Sequence, residues 1–170
     1  IGLVSSGNGT VTVAGTGSKW TNSGELIVGD SGNGTLSVQN GGEVTNTNGF
    51  IGDFSSGNGT VTVTGTGSKW TNSGLLIIGN FGNGTLNIES GGEVTNTFGY
   101  IALDSGGSGI VTVTGAGSKW TNSGSLDVGF NGNGTLSVQN GGEVSNAKGA
   151  IAAFAGSNGN ATVTGSGSKW

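Results

Sequence analysis

Few side chains in this chain titrate, and so few can do acid–base chemistry. The 170 residues include nine carboxylates and five lysines, with no histidine, cysteine or methionine. Thiolate and imidazole chemistry are therefore absent, and the remaining catalytic option is a pair of carboxylates acting as acid and base, as in glycoside hydrolysis. Such a pair has to be built at a fixed place in the fold. The candidates Asp30, Asp53, Asp104 and Asp127 recur at no common position of the repeat into which the chain divides. The recurring Gly-Asn-Gly-Thr string also lacks the acidic residue of the calcium-binding Gly-Gly-x-Gly-x-Asp repeat. The expectation is a protein that is not an enzyme and that uses no metal and no cofactor.

The elements that position these residues come from internal repetition. Gly-Asn-Gly-Thr-Val-Thr-Val and Gly-Ser-Lys-Trp-Thr-Asn-Ser-Gly recur with a period of 50 residues, so that Thr10 answers Thr60 and Trp20, Trp70, Trp120 and Trp170 form one series. Ser-Gly-Asn-Gly-Thr at 6–10 returns at 31–35, which halves the unit to about 25 residues. Each unit opens with period-two alternation, as in Val11 and Val13 or Leu36 and Val38, which marks a strand with its apolar side inward. A glycine corner follows, then a second strand (Lys19-Trp20-Thr21-Asn22 or Glu43-Val44-Thr45-Asn46). Another corner leads to a third strand, with Leu26 and Val28, Ile51, Leu76 and Ile78, Ile101, Leu126 and Val128, and Ile151 facing the core. The two half-units are expected to differ by compensating insertions: Val13 to Lys19 takes six steps against five for Val38 to Glu43, while Asn22 to Gly24 takes two against three for Asn46 to Gly49.

Three short strands and three corners per 25 residues specify an all-β, parallel β-solenoid, a β-helix with triangular coils. Close to seven coils give a rod roughly 30 Å long at the usual strand spacing. A kelch-like propeller shares the 50-residue period, but the motif repeats at half of it and 170 residues cannot close a ring of blades. Forty glycines, 31% hydrophobic residues and no proline fit a thin, elongated core rather than a globule. Residues 1–170 read as a single segment of 50-residue double-coil repeats cut from a longer array, with no segment long and apolar enough to contact a membrane. A net charge of −4 argues against nucleic acid as a partner.

Several columns of like residues should result from stacking. Lys19, Glu43, Lys69, Glu93, Lys119, Glu143 and Lys169 are expected to alternate in sign along one outward line, each lysine between two glutamates, opposing a one-coil slip. Asn22, Asn46, Asn72, Asn96, Asn122 and Asn146 should stack at one corner, and Asn8, Asn33, Asn58, Asn83, Asn133 and Asn158 at another, each amide bonding to the copies above and below. Five of the latter also begin Asn-Gly-Thr sequons. Outward Thr10, Thr12, Thr60 and Thr62 form a hydroxyl face of the kind found on ice-binding solenoids, interrupted at Asn87, Ile110 and Asn160.

The repeat strings Gly-Thr-Val-Thr-Val, Gly-Ser-Lys-Trp-Thr-Asn-Ser-Gly, Leu-Ile-Val-Gly and Gly-Thr-Leu-Ser-Val-Gln-Asn-Gly-Gly-Glu-Val resemble, over the whole chain, the passenger repeats of type V secretion (autotransporter) adhesins and related PEP-CTERM surface proteins. The resemblance implies a right-handed β-helix, secreted or held on a bacterial cell surface, that carries no catalytic residues. Absence of cysteine fits export. The implied role is a structural stalk or filament segment of an adhesin, with partners that are further copies of itself (lateral or end to end) or a host or matrix glycan or protein. The alternatives are a carbohydrate-binding or carbohydrate-active solenoid, or an ice-binding one.

The aromatic residues vary most from repeat to repeat. Phe50, Phe54, Phe81, Phe98, Tyr100, Phe130 and Phe154 all fall in the third strand or its flanking corners. At a 25-residue step Phe50, Leu75 and Tyr100 occupy one outward slot that elsewhere holds Glu25, Ser125 and Ala150, giving an exposed apolar column. These rings either meet a partner or merely cover glycine corners.

Overall fold

The computed structural model describes residues 1–170, and the chain is an all-β solenoid without a helix. Three parallel sheets run its length, with seven, six and six strands in strictly sequential order. The first sheet takes the seven-residue strands Asn8–Ala14, Asn33–Gln39, Asn58–Thr64, Asn83–Glu89, Ser108–Thr114, Asn133–Gln139 and Asn158–Thr164. Its register steps by 25 residues without exception, Thr10 on Thr35 on Thr60. The second sheet runs from Lys19–Thr21 to Glu143–Ser145 and the third from Leu26–Val28 to Lys148–Ile151.

The alternation written in the sequence sets the inside. Leu36, Val38, Val61, Val63, Leu86, Ile88, Val111 and Val113 are fully buried, as are Val28, Ile51, Leu76, Ile78, Ile101, Leu126 and Val128 from the third sheet. Trp70 and Trp120 complete the core with their whole side chains inside, and each stacks between valines, Trp70 between Val44 and Val94. Ile151, in the last strand of the third sheet, is about half exposed because no further coil covers it here.

The half-units do compensate in length, but at the third corner and not between Asn46 and Gly49 as expected. The third strand pairs Gly49 with Leu26 and Leu76, so Gly49 is a strand residue and not the corner glycine that Gly24 is. The reason is steric. A Cβ on Gly49 would lie 2.9 Å from Cζ2 of Trp70, so the glycine leaves the hole into which the next coil's indole fits. Gly99 leaves the same hole for Trp120. Coils that begin near Asn33 are therefore shorter at both of the first two corners. They recover the length at the third, where Ile51 to Asn58 takes seven steps and Val28 to Asn33 only five. Two coil types alternate, one with Trp and Leu, the other with Val and Gly.

Candidate functional site

The third-sheet face is the one whose outward residues change from coil to coil, and its register corrects the expected column. Phe50 pairs with Ile27 and Ile77, and Tyr100 with Ile77 and Asp127, so the outward line runs Ile27, Phe50, Ile77, Tyr100, Asp127, Ala150. Leu75 belongs to a neighbouring line with Phe98, Ser125 and Lys148. The slip came from treating Gly24 and Gly49 as equivalent. Phe50 and Tyr100 are only half exposed and flank Ile77, which is 3% exposed although it points away from the core. They form a second, outer apolar layer and not a bare stripe.

The rings that do come together lie further along the rod. Tyr100 meets Phe130 edge to face at 5.3 Å between centroids, and Phe130 meets Phe154 at 4.7 Å. Such pairs add to their buried area a preference for fixed relative orientation. Phe130 and Phe154 line an open groove of about 590 Å³ whose lining also includes Phe98, Ser125, Asp127 and Lys148. Phe54, Phe81 and Phe154 stand exposed on the third corner, while Phe50, Leu75, Phe54 and Phe81 line no groove. In that groove Ser125 Oγ donates to Asp127 Oδ2 at 3.4 Å. Burial pushes the Asp127 carboxyl above its ordinary value, against the opposing pull of the Ser125 hydroxyl and the Lys148 ammonium.

The other carboxylates are placed differently. Asp53 follows the left-handed Gly52 as Asp30 follows Gly29 and Asn80 follows Gly79, so Asp30, Asp53 and Asn80 share one column after all. Asn80 Nδ2 donates to Asp53 Oδ1 at 2.8 Å, and Ser31 Oγ donates to Asp30 Oδ2 at 3.0 Å. Asp104 and Asp127 lie elsewhere. No group of three or more acidic, cysteine or histidine side chains gathers anywhere.

The lysine–glutamate line exists, but each of its lysines holds a single glutamate. Lys19 bonds Glu43 at 2.9 Å and Lys69 bonds Glu93 at 3.3 Å, whereas Glu143 takes both Lys119 (3.8 Å) and Lys169 (3.1 Å). Hydrogen bonding and charge from Lys169, with Lys119 behind it, hold the Glu143 carboxyl below its ordinary value of 4.5. Because the folded value is the depressed one, the stabilisation is complete above the ordinary value and is lost as the pH falls through the folded one. A carbon-13 titration should place Glu143 below the free carboxylate, and Lys169→Met should return most of that shift. An unchanged midpoint in the variant would rule out Lys169 as its cause.

The asparagines are not corner ladders of one kind. On the first sheet Asn33, Asn58 and Asn83 each donate to the copy below at 2.8, 3.2 and 2.9 Å, and Ser108 interrupts the line. The second set turns inward: Asn46, Asn72, Asn96 and Asn122 are buried. There Trp70 Nε1 donates to Asn46 Oδ1 at 2.7 Å and Asn46 Nδ2 donates to Asn72 Oδ1 at 2.6 Å. Trp120, Asn96 and Asn122 repeat the relay, and Trp170 donates to Asn146. The line breaks between relays, leaving Asn72 Nδ2 without a partner, while Asn96 Oδ1 accepts from Trp120. Asn22, half buried at the first coil, bonds instead to the Glu25 carbonyl. Sequence reasoning missed these relays.

No protein-family model, curated protein or solved structure matches this chain.

Proposed function

We propose that the chain is a non-enzymatic stalk or filament segment of a secreted bacterial surface adhesin, holding its binding faces away from the cell and associating with further copies or with matrix glycan or protein. The observation that carries this reading is the one-dimensional growth of the fold. Each coil is bonded to the next through three in-register parallel sheets around one continuous core, so added sequence becomes added length. The repeat strings that resemble adhesin passenger domains supply the surface location.

The reading predicts that reach matters more than any one coil. Small-angle scattering on arrays lengthened by one 50-residue unit should show the longest dimension growing by about 9.6 Å per unit. Bacteria displaying a shortened array should lose adhesion at equal surface density, and an unrelated solenoid of matching length should restore it. Adhesion indifferent to length would overturn the stalk reading.

A further inference from the structure

We infer that the groove over the fifth and sixth coils is a binding site for a neutral saccharide, with a pyranose ring stacked on its aromatic lining. This rests on the proposed association with matrix glycan and names a site for it, whereas the length-dependent role of the rod does not depend on it.

The groove is carved by departures from the repeat. On the preceding coils the outward line is filled by Ile27, Phe50, Ile77 and Tyr100, and the next two slots in register hold Asp127 and Ala150. The neighbouring line runs Glu25, Asn48, Leu75, Phe98, Ser125, Lys148, so its apolar stretch ends at Phe98. At the fifth and sixth coils both lines have thus lost their apolar filler, leaving one small residue and three polar ones. Phe130 and Phe154 are also brought to within 4.7 Å of each other beside them. None of these changes serves the core, because the inward residues Leu126 and Val128 keep their type and remain fully buried.

The chemistry of the lining selects the occupant. Phe98 and Phe154 are exposed aromatic rings in the lining, the kind of surface on which the apolar side of a sugar stacks. Asp127 accepts hydroxyl protons, while Ser125 and Lys148 donate to hydroxyl oxygens. The carboxylate and the ammonium cancel, so the groove favours neither an anion nor a cation. An extended peptide cannot add as a strand at Ser125–Val128, which is paired on both sides, by Phe98–Ile101 and Lys148–Ile151; the free edge of the sheet lies beyond Lys148–Ile151, and the peptide comparator below tests it. A volume of about 590 Å³ falls in the small-ligand range.

The test is an amide-shift titration of the 170-residue chain with cellotetraose, maltotetraose and chitotetraose, using tetragalacturonate and a phenylalanine-rich tetrapeptide as comparators. A neutral tetrasaccharide should shift the amides of Gly124, Ser125, Asp127 and Ala150 with an affinity of about millimolar or better. Ala150→Tyr refills the slot with the residue the repeat itself uses at Tyr100, so the coil keeps its fold while binding falls by about tenfold or more. Asp127→Asn keeps the shape, removes the charge and should weaken binding by a similar factor. The inference fails if no neutral sugar shifts these amides, if the shifts persist unchanged in Ala150→Tyr, or if the acidic sugar or the peptide binds there more tightly. Such a failure leaves the length-dependent role of the rod standing.

Discussion

Trp70→Ala is expected to lower the unfolding free energy by about 3–5 kcal/mol, measured by urea or thermal denaturation. The indole is wholly buried and fills the hole left by Gly49, and a methyl group cannot close that space because the strands above and below are locked in register. The substitution also strips Asn46 of the donor to its oxygen, in a place water does not reach. Trp70→Phe keeps a ring in the core but loses both the hydrogen bond and the part of the indole that fills the Gly49 hole, so it should cost about 2–3 kcal/mol, less than Trp70→Ala. Equal costs for the two variants would mean that the relay and the Gly49 hole, and not the rest of the ring, dominate; no cost for either would mean that the second strand does not anchor the core.

Gly59→Ala should be as damaging, although the change adds a single methyl. Gly59 faces inward on the first sheet, and the corner from the preceding coil passes directly beneath it. A Cβ there would sit inside van der Waals contact of the Val28 carbonyl oxygen and 2.7 Å from both the Gly52 nitrogen and Ile51 Cγ2. Backbone cannot step aside as a side chain can, so the coil must open locally at a cost of about 3–5 kcal/mol. Gly24→Ala is the matched control, since a Cβ at Gly24 meets nothing within 4 Å. It should stay within about 0.5 kcal/mol of the parent protein. A Gly59 variant as stable as the Gly24 variant would show that the corner does not pass beneath the strand.

The solenoid itself was legible because its signal is redundant. Val11 and Val13 alternate with threonines in one coil, and the same pattern recurs at a constant step. What misled was glycine. Gly24 and Gly49 both follow an asparagine closely and both precede an apolar run, but one turns the chain while the other makes room for an indole in the adjacent coil. That second role is set by a residue about 20 positions away, and no local pattern reports it. The buried asparagines were more accessible to reasoning. In Trp70-Thr71-Asn72 the period-two rule that sends Trp70 inward sends Asn72 inward as well, and a buried amide beside a buried indole N–H requires a hydrogen-bond partner. The groove was beyond reach for a different reason. Its walls depend on the true register of the third sheet, and an error of two residues there moves every outward side chain to another line.

The alternation of the two coil types imposes a parity on the gene as well as on the protein. Duplication or loss of a 50-residue stretch restores Trp over Val and Lys over Glu at the new junction. Duplication or loss of 25 residues instead sets Trp70 directly over Trp20, with no glycine hole between them, and Lys69 over Lys19. Arrays of this kind can therefore lengthen and shorten by recombination only in even steps, and an odd number of coils gained or lost leaves a fault line at which the rod should break first.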